Sequence, residues 1–170
     1  GYLTGLRLMV AILVDTAIEA EIEIDTLIIG GGAAGLTAAL AACEAGSSVL
    51  IAERETVLSG STALSSGLIP AAGTAIQLEQ SIEDNADIFY SDIMAKNKNK
   101  ADPDYVRRIV TQIPKTIDWL TAAHNIPFIV LDNFLYPSHT NHRMHAVPEV
   151  TGSGLIERLE VAVRAQDITI

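Results

Sequence analysis

The sequence predicts one α/β domain with a parallel sheet. An apolar strand, a helix and a second apolar strand follow one another within about 30 residues, which is the length and order of a βαβ unit. The chain has 170 residues, 49% of them hydrophobic, which is enough for a core without a disulfide or a metal. The single cysteine, Cys43, agrees with this, because one thiol cannot form an internal bridge.

Residues 1–24 are predicted to form an extension that precedes a domain at residues 25–170. The apolar residues of the extension recur at spacings of three and four, which favours a helix. Its β-branched residues favour a strand instead. Both interpretations stay open for this segment.

The clearest pattern begins after Asp25. Thr26–Ile29 is a short β-branched apolar run that three glycines end, as expected of a buried parallel strand. A helix is predicted over Ala33–Ala45, with Gly46 as its left-handed cap. Ser48–Ala52 is the second apolar strand, and the crossover between the two strands is expected to be right-handed.

The second half of the chain is predicted to be mainly helical. Residues 56–75 show no sustained period and are expected to form a long loop, which inside a compact domain is usually functional. Apolar spacing predicts one helix over 78–97, and Asp102 caps the next, which carries Ile109 on its inward face. The other predictions are a new set of helical turns from Pro114 to Asn125, a strand over Phe128–Leu131, a loop over Tyr136–Val150, a helix capped by Thr151 or Ser153, and a strand that begins at Ile168.

Composition argues against several classes of function. The chain has 11 Lys and Arg against 21 Asp and Glu, and a net charge of −10 does not suit a nucleic-acid binder, because phosphate contacts need clustered cations. The most apolar N-terminal run, Leu8–Val14, is far shorter than the roughly 20 residues that cross a bilayer. No segment resembles a secretory signal, so a cytoplasmic location is expected.

A glycine-rich turn joins the first strand to the first helix. It reads Gly30-Gly31-Gly32-Ala33-Ala34-Gly35, which fits the dinucleotide-binding pattern G-x-G-x-x-G in the required context. Gly30 makes the tight turn, Gly32 lets a pyrophosphate approach the backbone, and Gly35 lets the helix pack closely on the strand. The helix N-terminus then offers free N–H groups and a positive dipole end to the phosphates.

An acidic residue stands where such folds bind the adenosine ribose. Glu53 closes the second strand 23 residues after Gly30, close to the spacing of about 20 that is typical of this motif. A carboxylate there accepts hydrogen bonds from ribose hydroxyls and repels a 2′-phosphate. The alternative is a plain tight turn followed by a surface acid. Strand, turn, helix, strand and acid occur in the expected order, so we predict a dinucleotide site.

A segment rich in small residues follows the second strand. It begins Gly60-Ser61-Thr62 and ends Gly67-Leu68-Ile69-Pro70-Ala71-Ala72. This pattern resembles the second flavin-contacting segment of the fumarate reductase and succinate dehydrogenase flavoprotein family, which includes 3-ketosteroid dehydrogenases and urocanate reductases. Small residues suit such a loop, because the flat isoalloxazine ring must lie against the backbone.

Two later segments carry the same resemblance. Trp119-Leu120, followed by residues 125–128, looks like the family's exit from a helix into a short strand. Arg143-Met144-His145, with Thr151-Gly152 shortly after it, resembles the Arg…Thr-Gly segment before the family's next helix. The resemblance covers residues 25–170 and implies a Rossmann-like FAD-binding domain with a parallel sheet, of which the chain holds the N-terminal part only.

The resemblance implies FAD as the cofactor. Membrane-complex members attach the flavin through a histidine just before the threonine of the loop, and Ser61 stands there, so the FAD is expected to be noncovalent. Leu68 replaces the second glycine of the family's pair and adds a side chain near the ring. Asn125 stands where glycine is usual, which asparagine tolerates because it accepts left-handed backbone angles. The residues expected to bind FAD are Gly30, Gly32, Ala33, Ala34, Gly35, Glu53, Arg54, Gly60, Ser61, Thr62, Ser65, Ser66, Gly67 and Leu68.

The resemblance also implies a reaction, namely hydride transfer between flavin N5 and a C–C bond next to a carbonyl or carboxylate. The family's proton-donating arginine and carboxylate-binding residues lie beyond the matched part, so no catalytic residue is expected in this chain. A small-molecule substrate and an additional polypeptide that completes the enzyme are the expected partners. The alternatives are a noncatalytic piece that acts only with a separate chain, and an NAD-dependent dehydrogenase, which the small-residue loop disfavours.

Three histidines, His139, His142 and His145, are spaced by three residues in the predicted loop. A metal site needs three or four convergent ligands, and no cysteine lies nearby, so loop residues without a metal are expected. Arg143 is expected either to contact the flavin region or another domain, or to hold the loop. The serines of the small-residue segment lack the G-x-S-x-G elbow of a nucleophile.

Overall fold

A computed structural model describes residues 22–170, so the prediction for the extension lies almost wholly outside the described residues. The described part alternates helices with short strands. In chain order the elements are β1 (Thr26–Ile29), α1 (Ala33–Glu44), β2 (Val49–Ala52), α2 (Gly60–Ala63), β3 (Ile69–Pro70), α3 (Ala75–Glu79), α4 (Ala86–Lys96), α5 (Pro103–His124), β4 (Ile129–Val130), β5 (Met144–Ala146) and α6 (Gly152–Arg164).

The βαβ unit is confirmed. β1 and β2 pair in parallel, in a register that runs from Thr26 opposite Val49 to Ile29 opposite Ala52. Helix α1 ends as predicted, with Gly46 at a φ of +87°, a conformation that glycine adopts without strain. The α/β class and the parallel sheet are therefore both present.

The parallel sheet is narrow in the described residues. The strand predicted from Ile168 is a single parallel bridge, in which the Ile51 N–H donates to the Thr169 carbonyl oxygen at 2.9 Å. On β1, Ile28 packs against the core, whereas Leu27 and Ile29 point to the other face and are 55% and 77% exposed. One face of β1 is thus apolar and uncovered by the described residues.

A second, antiparallel sheet has the order β3-β5-β4. The prediction of a structureless stretch over 56–75 is wrong, because α2 and β3 lie within it. The predicted loop over Tyr136–Val150 likewise contains β5. Elements of two to four residues are too short to repeat a hydrophobic period, so pattern alone does not reveal them. Within residues 22–170 we find no helix with the length and apolarity that a bilayer crossing demands.

Helix caps explain two differences from the predicted helices. The helix predicted over 78–97 is two helices, since the Thr74 side chain caps α3 and the Asn85 side chain caps α4. Leu78, the first residue of the predicted helix, lies near the end of α3 and is 80% exposed. Thr74 and Asn85 are both residue types that favour the N-cap position, at which a helix starts.

Helix α5 runs without a break through Pro114, contrary to the predicted division there. Pro114 is buried, and the apolar face continues past it from Val110 to Ile117, so packing outweighs the backbone bond that proline cannot donate. Asp102 caps the helix, and Asn125 ends it in the left-handed conformation at a φ of +54°, both as predicted. Ile109, predicted to face inward, is 41% exposed.

Candidate functional site

The glycine turn has the geometry that its motif requires. Gly30 has a φ of +98°. A Cβ at Gly35 would overlap the Gly30 carbonyl oxygen, so only glycine lets α1 approach β1 this closely. A Cβ at Gly32 would instead meet nothing within 4 Å. The space in front of Gly32 is therefore open, although its φ of −75° would permit other residues.

The N-terminus of α1 is electrostatically suited to an anion. Gly32 is the N-cap, no side chain caps the helix, and its first turn contains no acidic residue. The first N–H groups of a helix have no partner within it, and the macrodipole places partial positive charge there. An open, uncapped helix start beside an open glycine fits a pyrophosphate.

Glu53 lies beside the glycine turn and contacts its backbone. Its Oε2 accepts from the Gly31 N–H at 2.7 Å, and its Oε1 accepts from the N–H groups of Arg54 and Glu55 at 2.7 and 3.0 Å. Together these bonds hold the pKa of the Glu53 carboxyl below its usual value, and the bond from the Glu55 N–H contributes most to that lowering. A carboxylate has about four lone-pair sites. Glu53 is thus ionised and positioned, with acceptor capacity left for a ribose hydroxyl.

A first cleft of about 520 Å³ lies next to this turn, and Glu53 is one of the residues that line it. It lies where the two parallel strands end, the edge at which doubly wound sheets bind ligands. Six residues that we predicted line it, together with four that we did not, although those four directly follow the strand end. The predicted ones are Gly32, Glu53, Arg54, Gly60, Ser61 and Thr62, and the others are Glu55, Thr56, Val57 and Ser59.

A second cleft of about 320 Å³ adjoins the first, because Ser61 and Thr62 line both. The residues that line the second cleft are mainly small or apolar. Leu155 comes from α6 and carries no local sequence signal for this place, so it was missed. The predicted residues in the second cleft are Ala33, Ser61, Thr62, Ser65, Gly67 and Leu68, and the added ones are Ile69 and Leu155.

The small-residue loop is held by hydrogen bonds and by the start of α6. The Ser65 hydroxyl donates to the Thr62 carbonyl oxygen at 2.7 Å and accepts from the Gly67 N–H at 3.0 Å. The Gly152 N–H donates to the Ser65 carbonyl oxygen at 2.9 Å, and a Cβ at Gly152 would overlap the Thr62 carbonyl oxygen. Gly67 has a φ of +68°, and a Cβ added at this position would lie 2.7 Å from the Thr151 carbonyl oxygen.

Four predicted residues line neither cleft. Gly30 and Gly35 shape the turn from behind, as described above. Ala34 lines an apolar groove between α1 and α5, and Ser66 is exposed on the loop. The structure therefore brings together ten of the predicted residues in two adjoining clefts.

Arg143 holds the loop rather than lining a cleft. Its guanidinium is fully buried; Nε and Nη2 donate to Asp84 at 2.8 and 3.0 Å, and Nη1 donates to Asp92 at 2.6 Å. His145 is also fully buried. Among residues 22–170, no three His, Cys, Asp or Glu side chains converge on a point that could hold a metal ion.

Comparison with known proteins agrees with this geometry. Residues 25–170 match the model of a family described as FAD binding domain. The chain is 38% identical over 96 residues to an NADH:fumarate oxidoreductase of Klebsiella pneumoniae, covering 56% of this chain and 10% of that protein. It is 30% identical over 139 residues to a urocanate reductase of Eggerthella lenta, covering 81% of this chain and 23% of that protein. The chain thus spans at most about a quarter of the length of these two relatives.

A solved structure of a flavocytochrome c3 fumarate reductase in an open conformation is similar as well. It superposes with a TM-score of 0.74 at 26% identity, covering 85% of this chain and 26% of that one. Its fold, the family match and the open glycine turn all point to the same cofactor, FAD. The chain belongs to the FAD-binding domain family of the fumarate reductase and succinate dehydrogenase type of flavoprotein oxidoreductases.

Proposed function

We propose that this chain forms the cofactor-holding part of an oxidoreductase that transfers hydride between flavin N5 and a C–C bond next to a carbonyl or carboxylate. The observation that carries the proposal is the pair of adjoining clefts, one polar at the uncapped start of α1 and one small and apolar. The relatives named as fumarate and urocanate reductases support this choice of reaction.

Each cleft has residues suited to one end of FAD. The N–H groups at the start of α1 would hold the pyrophosphate, and Glu53 would accept from the adenosine ribose. Leu68, Ile69 and Leu155 would form an apolar wall that excludes water from the isoalloxazine. The bound flavin supplies the hydride chemistry. Ser61, at the junction of the clefts, offers no side chain for the family's covalent linkage, so we propose noncovalent FAD.

We further propose that the proton donor and the substrate-binding groups come from polypeptide other than residues 22–170. A second candidate function, a noncatalytic piece that acts only with a separate chain, is favoured by the exposed Leu27 and Ile29 on β1. A face with two large exposed apolar side chains suits coverage by further polypeptide. Both arrangements require that this chain, alone or with its partner, bind FAD.

The visible absorption spectrum of the purified chain tests the proposal. A flavin spectrum whose chromophore leaves the protein on acid precipitation is the expected result. A chromophore that stays with the precipitate would contradict noncovalent binding. Binding of NAD without FAD would overturn the flavin proposal in favour of an NAD-dependent dehydrogenase.

Gly32→Ala should separate binding from folding. A Cβ at Gly32 meets no atom within 4 Å, but alanine is a poorer N-cap than glycine, so we expect the free energy of unfolding to fall by no more than about 1 kcal/mol. The methyl group would occupy the space in front of α1 where the pyrophosphate approaches, so FAD affinity should fall at least about tenfold. Urea unfolding and FAD titration measure the two effects. Unchanged FAD affinity would remove Gly32 from the site.

Glu53→Ala should weaken FAD but not FMN, because FMN lacks the adenosine ribose. We expect the dissociation constant for FAD to rise about tenfold, the effect of losing a hydrogen bond to a charged acceptor. Glu55→Ala is the matched control, since Glu55 lines the same cleft and its side chain pairs with the exposed Arg54. An equal loss in both variants would mean that the cleft needs negative charge in general rather than Glu53.

A further inference from the structure

A hydrogen-bonded network of largely buried side chains joins β5 to the segments that precede α3 and α4. Its members come from distant parts of the chain: Thr74 precedes α3, Asp84 precedes α4, Asp92 lies within α4, and Arg143 and His145 belong to the β5 segment. The side chains of Arg143 and Asp84 have no solvent exposure, and that of Asp92 has 9%. We call these five residues the Arg143 network.

The side chain of Arg143 fixes its own backbone. Two carboxylates receive three of its N–H groups, and its guanidinium carbon lies 4.6 Å from the ring centroid of Phe89. Planar bidentate contacts of this kind restrict both partners to one geometry. The carbonyl oxygen of Arg143 is therefore held at a defined position beside β3.

That carbonyl oxygen is a shared acceptor. The Ala71 N–H donates to it at 3.0 Å, and Nδ1 of His145 also lies 3.0 Å from it. Because a carbonyl only accepts, Nδ1 of His145 must carry the proton, which leaves Nε2 as an acceptor. The Thr74 hydroxyl, 2.8 Å from Nε2, therefore donates to it. Burial lowers the pKa of His145, which agrees with a neutral ring in this arrangement.

The Thr74 hydroxyl takes part in a second hydrogen bond. Its oxygen accepts from the Gln77 N–H at 3.2 Å and so caps α3. Thr74 and His145 thus join the start of α3 to β5, across the segment 69–74. In that segment Ile69 lies directly opposite His145 in the β3–β5 pairing, and Ile69 also lines the second cleft. A displacement of His145 would therefore reach the second cleft through one residue pair.

We propose that Thr74 and His145 are positioning residues for the flavin end of the site. Neither lines the first or the second cleft, although Thr74 lines a separate cavity of about 730 Å³. Their hydrogen bond sets where β3 and the adjoining Gly67-Leu68 turn lie relative to the flavin ring. The inference rests on the proposed function, because it supposes that the second cleft receives the isoalloxazine. It assigns a function in cofactor binding to a network that a purely structural interpretation would treat as part of the core.

Thr74→Val tests the inference in the full chain, because valine keeps the shape of threonine and removes the hydroxyl. Thr74→Ser retains the hydroxyl and is the rescue control. Val106→Ala, a truncation in the α4–α5 core, is the control for general loss of stability. The dissociation constant for FAD and amide hydrogen exchange of residues 67–74 are measured at a temperature where circular dichroism shows every variant to be folded.

We expect Thr74→Val to raise the FAD dissociation constant about tenfold and to speed exchange in residues 67–74. Thr74→Ser and Val106→Ala should leave both close to wild type. Wild-type FAD affinity in folded Thr74→Val would overturn the inference and leave the proposed function standing. Absence of FAD binding by the wild-type chain and its complexes would overturn both. A rise of the dissociation constant that is equal in Thr74→Val and Val106→Ala would show a merely structural role.

Discussion

Replacing Arg143 by methionine is expected to lower the free energy of unfolding by about 3–5 kcal/mol. Methionine fills a similar volume but leaves the carboxylates of Asp84 and Asp92 buried without their cation. A domain of this size has a total stability of about 5–15 kcal/mol, so the variant should be folded only marginally. Urea unfolding followed by circular dichroism measures the loss.

The pH dependence of this loss of stability distinguishes the unpaired charges from lost packing. Burial alone would raise the pKa of Asp92, but bonds from Thr140 and Arg143 outweigh it and lower that pKa. The stability that ionised Asp92 contributes through these bonds is therefore fully present above about pH 4, the pKa of an unfolded aspartate. It is lost as the pH falls through the lower pKa of the folded state. In Arg143→Met the unpaired carboxylates are relieved by protonation, so the stability difference from wild type should narrow in acid. A difference that stays constant from pH 7 to pH 3 would point to packing instead.

Replacing Gly152 by alanine is expected to lower the free energy of unfolding by about 3 kcal/mol. The new Cβ would overlap the Thr62 carbonyl oxygen and lie 2.9 Å from that of Ser65. Helix propensity favours alanine by about 1 kcal/mol, which is smaller than the cost of a backbone collision. The start of α6 must therefore move away from the small-residue loop, and FAD affinity should fall as well.

Ser153→Ala is the matched control for this change, because Ser153 is the next residue of α6 and is exposed. Its effect on unfolding should stay within about 0.5 kcal/mol. Thermal unfolding and FAD titration of the two variants measure the difference. If Gly152→Ala were as stable as Ser153→Ala and bound FAD equally well, the close contact between α6 and the loop would not be needed.

The sequence alone predicts the parts of the molecule in which a hydrophobic pattern repeats or a local signal, such as a helix cap, is present. β1, α1 and β2 follow from apolar runs and a glycine motif, and Asp102 and Thr151 cap the helices that they were expected to cap. The open space at Gly32 agrees with the role that its motif position predicts. Each of these features depends on residues that are close in sequence.

Features that depend on tertiary contacts were not predictable in this way. Asp84 and Asp92 look like surface acids in the sequence, and only the fold shows them buried around Arg143. Leu155 reaches the second cleft from α6, and its helical spacing indicates only that it is buried. Pro114 would end an isolated helix, but neighbouring side chains sustain α5 through it.

The hydrogen bond between Gly152 and Ser65 joins residues about 90 positions apart, so it has a kinetic consequence. A contact across so much chain closes slowly, because the intervening loop must lose its freedom first. At a synthesis rate of about 5–20 residues per second, α6 is made several seconds after the small-residue loop. The β1, α1 and β2 unit can therefore form before the flavin end is complete, and cofactor capture would follow the synthesis of α6.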